Sequence, residues 1–468
     1  MADTRSSWRT RMGFILAAVG SAVGLGNIWR FPWMTGENGG AAFLLVYLGI
    51  VLLVGVPGLL GEFVIGRRAK RNPVGALGSL SDSSSWSAFG HLYVATAVFL
   101  LSFYSVVGGW ILRYFAASFT GAYFGNAGAY FASIDYGPEA VAFHAVFLLV
   151  TAAIVAFGVE DGIERATKVM VPVVVVLLVG LAGWGATLDG AGAGLSFFLS
   201  PDLGYLRANF LDILPVAAGQ ALFTLSLGAG TMVTYASYLG EDRSLSVDGA
   251  SIAVLNTVVG ILAGVVVFPI LFAFGSGAGA GGPGALFVSL AGAFSALPYG
   301  RAVGAVFFGV VALAALSSSI SMLEIPVSYL VDEYGVSRRR VTAGLALLFL
   351  VTGAVNALWE PVFGFVAGTL VDLLLTGGLI AFLLFVGWVL GTDAVAELRA
   401  GAGGLTRSLA VPWLYAVGVV IPLFLTFTLL SALLPLVGVQ VGTAGLAVLA
   451  AAVFVGAVVA NRREKSVL

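Results

Sequence analysis

The chain reads as an all-α polytopic membrane protein of twelve transmembrane helices, on three observations. Of its 468 residues, 60% are hydrophobic and 10% charged, which is more apolar than soluble domains ordinarily are. Uncharged apolar runs of about 18 residues or more recur along it, each enough for a helix to cross about 30 Å of hydrocarbon. Basic residues gather in alternate breaks between those runs, as they do in multi-span chains. The absence of cysteine excludes disulfides, thiol catalysis and cysteine metal sites. A formal net charge of −1, with no long basic run, gives no reason to expect a nucleic-acid partner; the lipid bilayer is the expected surrounding.

Residues 1–11 form a polar tail with Arg5, Arg9 and Arg11, and the apolar run that follows is read as a retained span, because it continues past Asn27, Trp29 and Arg30. Spans centre near residues 24, 52, 104, 148, 178, 226, 260, 316, 346, 377, 423 and 451. They group as 12–189 (five spans), 205–391 (five more), 410–461 (two additional helices) and a tail at 462–468. Twelve crossings place 18 of the 22 basic residues on one side, so both termini are expected in the cytoplasm. Arg113, Arg207 and Arg301 are expected at interfaces, where long side chains reach water. The segment from Gly275 to Pro298 reads as a long outer loop with a short helix.

Two spans carry internal breaks. Span 1 contains Gly20-Ser21-Ala22-Val23-Gly24-Leu25-Gly26-Asn27, and span 6 contains Leu225-Ser226-Leu227-Gly228-Ala229-Gly230. Unwound backbone at membrane depth needs a cavity or protein around it. The breaks lie five spans apart, an odd number, so a second five-span unit must sit inverted relative to the first. Matching breaks in inverted halves point to a binding site at the membrane midplane. Close helix packing through glycine is the simpler explanation for one such run, and a poorer one for two at matching places.

The stretch from Trp8 through Gly20-Ser21-Ala22-Val23-Gly24-Leu25-Gly26-Asn27-Ile28-Trp29-Arg30-Phe31-Pro32 to Gly39-Gly40 closely resembles the signature of the neurotransmitter:sodium symporter family. The likeness continues in Gln220 to Gly228, Thr234 to Tyr238, Asn256, Ala314 to Ile320, and Gly387-Trp388, covering spans 1 to 10 in order. It resembles the family's prokaryotic, leucine-carrying members, and implies a sodium-coupled amino-acid importer in the plasma membrane of a prokaryote. It also implies a 5+5 inverted repeat, alternating access, and two sodium ions. The first sodium site would use Ala22, Asn27, Thr224 and Asn256 with the substrate carboxylate; the second would use Gly20, Val23, Ala314, Ser317 and Ser318. Neutral oxygens suit a hard monovalent cation.

The same resemblance implies a substrate pocket from Ser21, Ala22, Gly24, Gly26, Leu100, Tyr104, Phe223, Thr224, Ser226, Ala229, Ser318 and Met322. Half-helix amino ends favour an anionic carboxylate there. Amine-carrying relatives place Asp at the Gly24 position; Gly implies a substrate that brings its own carboxylate. Leucine-carrying members place Phe at the Ala229 position, so this pocket is expected to admit a bulky, even aromatic, hydrophobic amino acid. Gates would be Arg5, Trp8, Tyr238 and Asp332 on the inside, and Arg30 with Phe223 and Tyr104 on the outside. Counting back from Gly387-Trp388 puts the partner of Arg30 at Val366 or Ala367, neither of them acidic, with Asp372 the nearest acid. Gly162 and Pro172 match a pattern that lets span 5 unwind towards the second sodium. Tyr47, Gln220, Thr224 and Gly260 match the chloride pocket, but Gly260 is neither the Ser nor the Glu that decides chloride need, so chloride stays open.

The two histidines, His91 and His144, are expected at span ends and outside any hydrolase or zinc motif, which argues against an enzyme. A betaine-like osmolyte transporter, a channel, or a non-transporting sensor on the same fold are the rival functions. The sequence leaves monomer or dimer open.

Overall fold

The structure, a computed structural model, describes residues 8–81, 83–240, 243–274 and 284–466. Among the described residues every regular element is helical. Ten continuous helices are long and apolar enough to span: Ala41–Ala69, Ser85–Thr120, Pro138–Ala156, Val159–Gly185, Leu245–Ala273, Gly300–Tyr334, Arg338–Leu358, Glu360–Leu390, Gly404–Leu436 and Thr443–Ala460. The remaining two expected spans are the interrupted ones. Span 1 is Arg11–Ala22 followed by Gly26–Glu37, bent by 45°; span 6 is Leu203–Thr224 followed by Thr231–Ala236. A short helix, Ala285–Ala296, occupies the outer loop as expected.

The two interrupted spans are walled by their neighbours. Span 8 (Gly300–Tyr334) packs along span 3 and against both span 1 and span 5, while span 7 (Leu245–Ala273) lies against the span 1 halves. Spans 11 and 12 pack chiefly on span 10 and on each other, and span 12 exposes most of its side chains, as lipid-facing helices do. An even number of crossings puts the two described ends on one face, which also holds Arg67, Arg68, Arg243 and Arg338; it is called the arginine-rich face below.

His144 corrects the expectation of an interfacial residue. It is fully buried in span 4, with Nδ1 2.9 Å from the Ser105 hydroxyl. Span 4 approaches closely because Gly109 and Gly353 face it: a Cβ at Gly353 would lie 2.1 Å from the His144 ring. His91 is exposed and pairs with the Tyr329 hydroxyl at 3.0 Å.

Candidate functional site

The site is made by backbone that the breaks release. In span 1, Gly24 N turns to Ala22 O rather than Gly20 O, Leu25 N goes to the Tyr104 hydroxyl at 3.1 Å, and Asn27 N goes to Gly24 O. The carbonyls of Gly20, Ser21 and Val23 are thereby left without their helical donors, and buried carbonyls must find others. Ser317 donates to Gly20 O at 2.7 Å and lies 2.8 Å from Ala314 O and 3.4 Å from Val23 O. Ser318 donates to Ser21 O at 2.8 Å and also lies 3.3 Å from Gly20 O. The five residues expected at the second sodium site therefore meet, without a charged group, between spans 1 and 8.

The first expected site also assembles. The Thr224 hydroxyl lies 2.6 Å from Asn27 Oδ1 and 3.3 Å from Asn256 Oδ1, and Asn27 Nδ2 donates to Asn256 O and Oδ1 at 2.8 and 2.9 Å. All three side chains are buried, and Asn256 Nδ2 finds no protein acceptor. Ala22 is buried alongside at the end of the half-helix. Three neutral side-chain oxygens from spans 1, 6 and 7 thus converge where a sodium ion, as cargo, would find hard ligands.

Between the clusters lie the expected pocket residues. Tyr104 and Ser318 crowd Gly24 so closely that a Cβ there would sit 2.0 Å from Ser318 Oγ and 2.7 Å from the Tyr104 hydroxyl. Ser21 Oγ joins Ser226 Oγ at 3.1 Å and Ser321 Oγ at 2.7 Å, tying the two breaks to span 8. Phe223 lies against Gly26, and Leu100, Ala229 and Met322 are buried in the same apolar core. Span 6 turns through left-handed backbone at Ser226, Gly228 and Gly230; a Cβ at Gly228 would lie 1.9 Å from Leu375 O, so only glycine fits.

Outside the pocket, Arg30 corrects the counted register. Its Nη2 pairs with Asp372 Oδ2 at 2.6 Å, and its guanidinium lies 4.6 Å above the Phe223 ring. Ala367 instead lines the wall of a cavity of about 660 Å³ beyond Phe223, with Trp29, Trp110, Asp135 and Glu360. Span 10 takes a π-helical turn, Val366–Leu370, just before Asp372.

On the arginine-rich face, the Trp8 indole donates to Tyr235 O at 2.9 Å and packs edge-on against Tyr235 and Tyr238. Tyr238 donates to Glu324 at 2.8 Å, and Glu324 pairs with Arg338. Asp332 accepts from Asn72 N at 3.1 Å. Arg5 lies outside the described residues. Among the chloride candidates, Tyr47 is buried, and Gln220 uses Nε2 on Gly26 O at 2.7 Å and leaves Oε1 without a protein partner. A Cβ on Gly260 would sit 3.5 Å from Asn27 Nδ2. Gly162 lies in a π-helical turn, Val159–Glu164, and is not unwound; Pro172 lies inside the helix that follows.

Two residues were missed by the sequence reading. Glu62, fully buried, accepts from Gly228 N at 2.7 Å and so holds the break in span 6; Glu324 joins Tyr238 to Arg338 on the arginine-rich face. Both are acids inside otherwise apolar stretches of their spans, a signal that by itself marks functional positions.

A family model described as the sodium:neurotransmitter symporter family matches residues 5–127 and 134–427. The chain is 36% identical over 442 residues to an uncharacterized sodium-dependent transporter of Bacillus subtilis, covering 91% of this chain and 97% of that one. It is 28% identical over 304 residues to the sodium-dependent neutral amino acid transporter B(0)AT2 of Bos taurus, covering 58% of this chain and 41% of that one. Among solved structures it is similar to MhsT in complex with L-phenylalanine, at 38% identity and a TM-score of 0.82, covering 92% of this chain and all of that chain.

Proposed function

The chain belongs to the sodium:neurotransmitter symporter family, and from that premise we propose that it imports bulky hydrophobic amino acids, aromatic ones included, with two sodium ions by alternating access. One observation carries the substrate class: the centre of the site is neutral, and Gly24 admits no side chain between Tyr104 and Ser318. A substrate amine must then be balanced by a carboxylate that the substrate itself brings. The Tyr104 hydroxyl, which accepts from Leu25 N and keeps its own proton to give, would donate to it. That carboxylate would complete the oxygen shell of Asn27, Thr224 and Asn256, so each ligand raises the affinity of the other by the same factor. The small Ala229 supports a large side chain, as does the likeness to MhsT, whose structure holds L-phenylalanine.

Closure on the outer side falls to Arg30, Phe223 and Asp372, and on the inner side to Trp8, Tyr235, Tyr238, Glu324 and Arg338. The arginine-rich face is the cytoplasmic one by the positive-inside rule, with both termini on it. Chloride, held by Tyr47 and Thr224 beside Gly260, is the candidate for any further negative charge; a halide titration of binding decides it. The central experiment is uptake of labelled phenylalanine, tryptophan and leucine into proteoliposomes with and without an inward sodium gradient. Uptake that requires the gradient and is lost in Asn27→Ala is expected. Sodium-dependent betaine uptake, or binding without uptake, would replace the reading with an osmolyte carrier or a sensor.

A further inference from the structure

We propose that Glu164 is a second inner latch, a positioning residue that holds the first half of span 1 against span 5 until the inner path opens. The proposal rests on reading that half-helix as part of the inner barrier, and goes beyond the Trp8 and Glu324 contacts described above.

The first amides of a helix lack partners within it, and Arg11–Ala22 meets that need in two layers. Thr10 is the cap, its hydroxyl accepting from Gly13 N at 2.9 Å. Glu164 holds the cap in turn: one carboxylate oxygen accepts from Arg9 N and the other from the Thr10 hydroxyl, both at 2.9 Å. Lys168, one turn along span 5, balances the charge at 2.6 Å. The Glu164 side chain is 2% exposed. Hydrogen bonds to an ionised group are among the stronger ones, and a buried carboxylate deprived of them is costly. Other acids facing the same end, Glu160 and Asp161, meet Arg9 in exposed pairs, which contribute little.

The contact continues along the helix. A Cβ on Gly13 would lie 2.2 Å from the Glu164 carboxyl carbon, so the two helices touch there. Further on, a Cβ on Gly20 would meet Thr167 at 3.3 Å and Val171 at 3.1 Å. One face of span 5 therefore runs from the Glu164 carboxylate to the carbonyl that Ser317 holds. Glu164 also ends a π-helical turn that follows left-handed Gly158, a local geometry less regular than the helix beyond. The half-helix it holds is 12 residues long and already parted from its continuation by the break. Release of that carboxylate would thus remove the buried charged hold of span 5 on the capped end, leaving the exposed Arg9 pairs and the Arg11 pair with Asp248 of span 7.

The chain contains no cysteine, so Thr167→Cys, a position buried between the two helices, supplies one reporter. Its maleimide labelling rate would be measured in proteoliposomes, with and without sodium, with Glu164 retained and in Glu164→Gln and Glu164→Ala backgrounds. Labelling about tenfold faster is expected in Glu164→Ala, the ratio that loss of a charge-assisted hydrogen bond implies. A smaller rise is expected in Glu164→Gln, whose amide oxygen still accepts from Arg9 N. Sodium should slow labelling when Glu164 is retained and slow it less in the variants, which a merely structural role would not produce. Equal rates and equal sodium response in all three would overturn the proposal. If Glu164→Ala does not fold, Glu164→Gln combined with Thr10→Val gives the same decision. The labelling needs no uptake, so its outcome is separate from the identity of the substrate.

Discussion

Replacing Gly24 by alanine would drive one methyl group to 2.0 Å from Ser318 Oγ, 2.8 Å from Ser318 Cβ and 2.7 Å from the Tyr104 hydroxyl. The Tyr104 contact is with the far end of a side chain and can relax by rotation. The Ser318 contact cannot relax as easily: that Cβ is fixed to span 8, and its hydroxyl is committed to Ser21 O at 2.8 Å. Overpacking of this kind costs about 1–3 kcal/mol, or about ten- to a hundredfold in affinity if the strain falls on the substrate-bound state. Sodium-dependent binding of labelled phenylalanine to purified protein measures that loss, and thermal unfolding in the same detergent shows how much falls on the fold instead. Ser318→Gly in the Gly24→Ala background removes the closest clash and should recover part of the affinity, giving a coupling of about 1 kcal/mol or more between two residues in contact. Wild-type binding by Gly24→Ala, or independent effects in the double variant, would refute the placement of Gly24 between Ser318 and Tyr104.

Ser317→Ala removes the hydroxyl shared by Gly20 O and Ala314 O; the sodium dependence of binding should weaken by about tenfold, from about 1–1.5 kcal/mol per lost oxygen partner. Asn256→Ala should weaken sodium affinity by about tenfold, while the factor by which sodium raises phenylalanine affinity stays equal to the factor by which phenylalanine raises sodium affinity; sodium titrations at several phenylalanine concentrations check it. Asp372→Asn keeps the shape of the outer pair but removes its charge, and should speed outward dissociation of bound phenylalanine by about tenfold in a wash-out assay. Asp135, in the connection between spans 3 and 4, is held above the usual carboxylate range, first by burial and also by the charge of Glu360. Its ionised form is therefore the penalised one, so its contribution to stability is present at low pH and lost as pH rises through the raised value. Asp135→Asn should raise the unfolding temperature at about pH 7 and converge with the wild type towards about pH 4.

The sequence by itself determined the membrane class, the number of crossings, and the positions of the two breaks. These depend on apolar length and on glycine, and both are local properties of the chain. It also determined the residue types of both oxygen clusters, since Asn27, Thr224, Asn256 and Ser317 stand in motif order. Only the tertiary structure decided who pairs with whom. Arg30 takes Asp372, five or six residues beyond the positions that counting gave. His144 proved buried because two glycines on other spans let its helix approach. Glu62 holds an amide of span 6, and Glu164 caps span 1 across 154 residues of chain from Thr10. The physical reason is common to all four. A charged or polar side chain inside the membrane must find its partner in space, and the sequence shows the need for one without showing which helix will supply it.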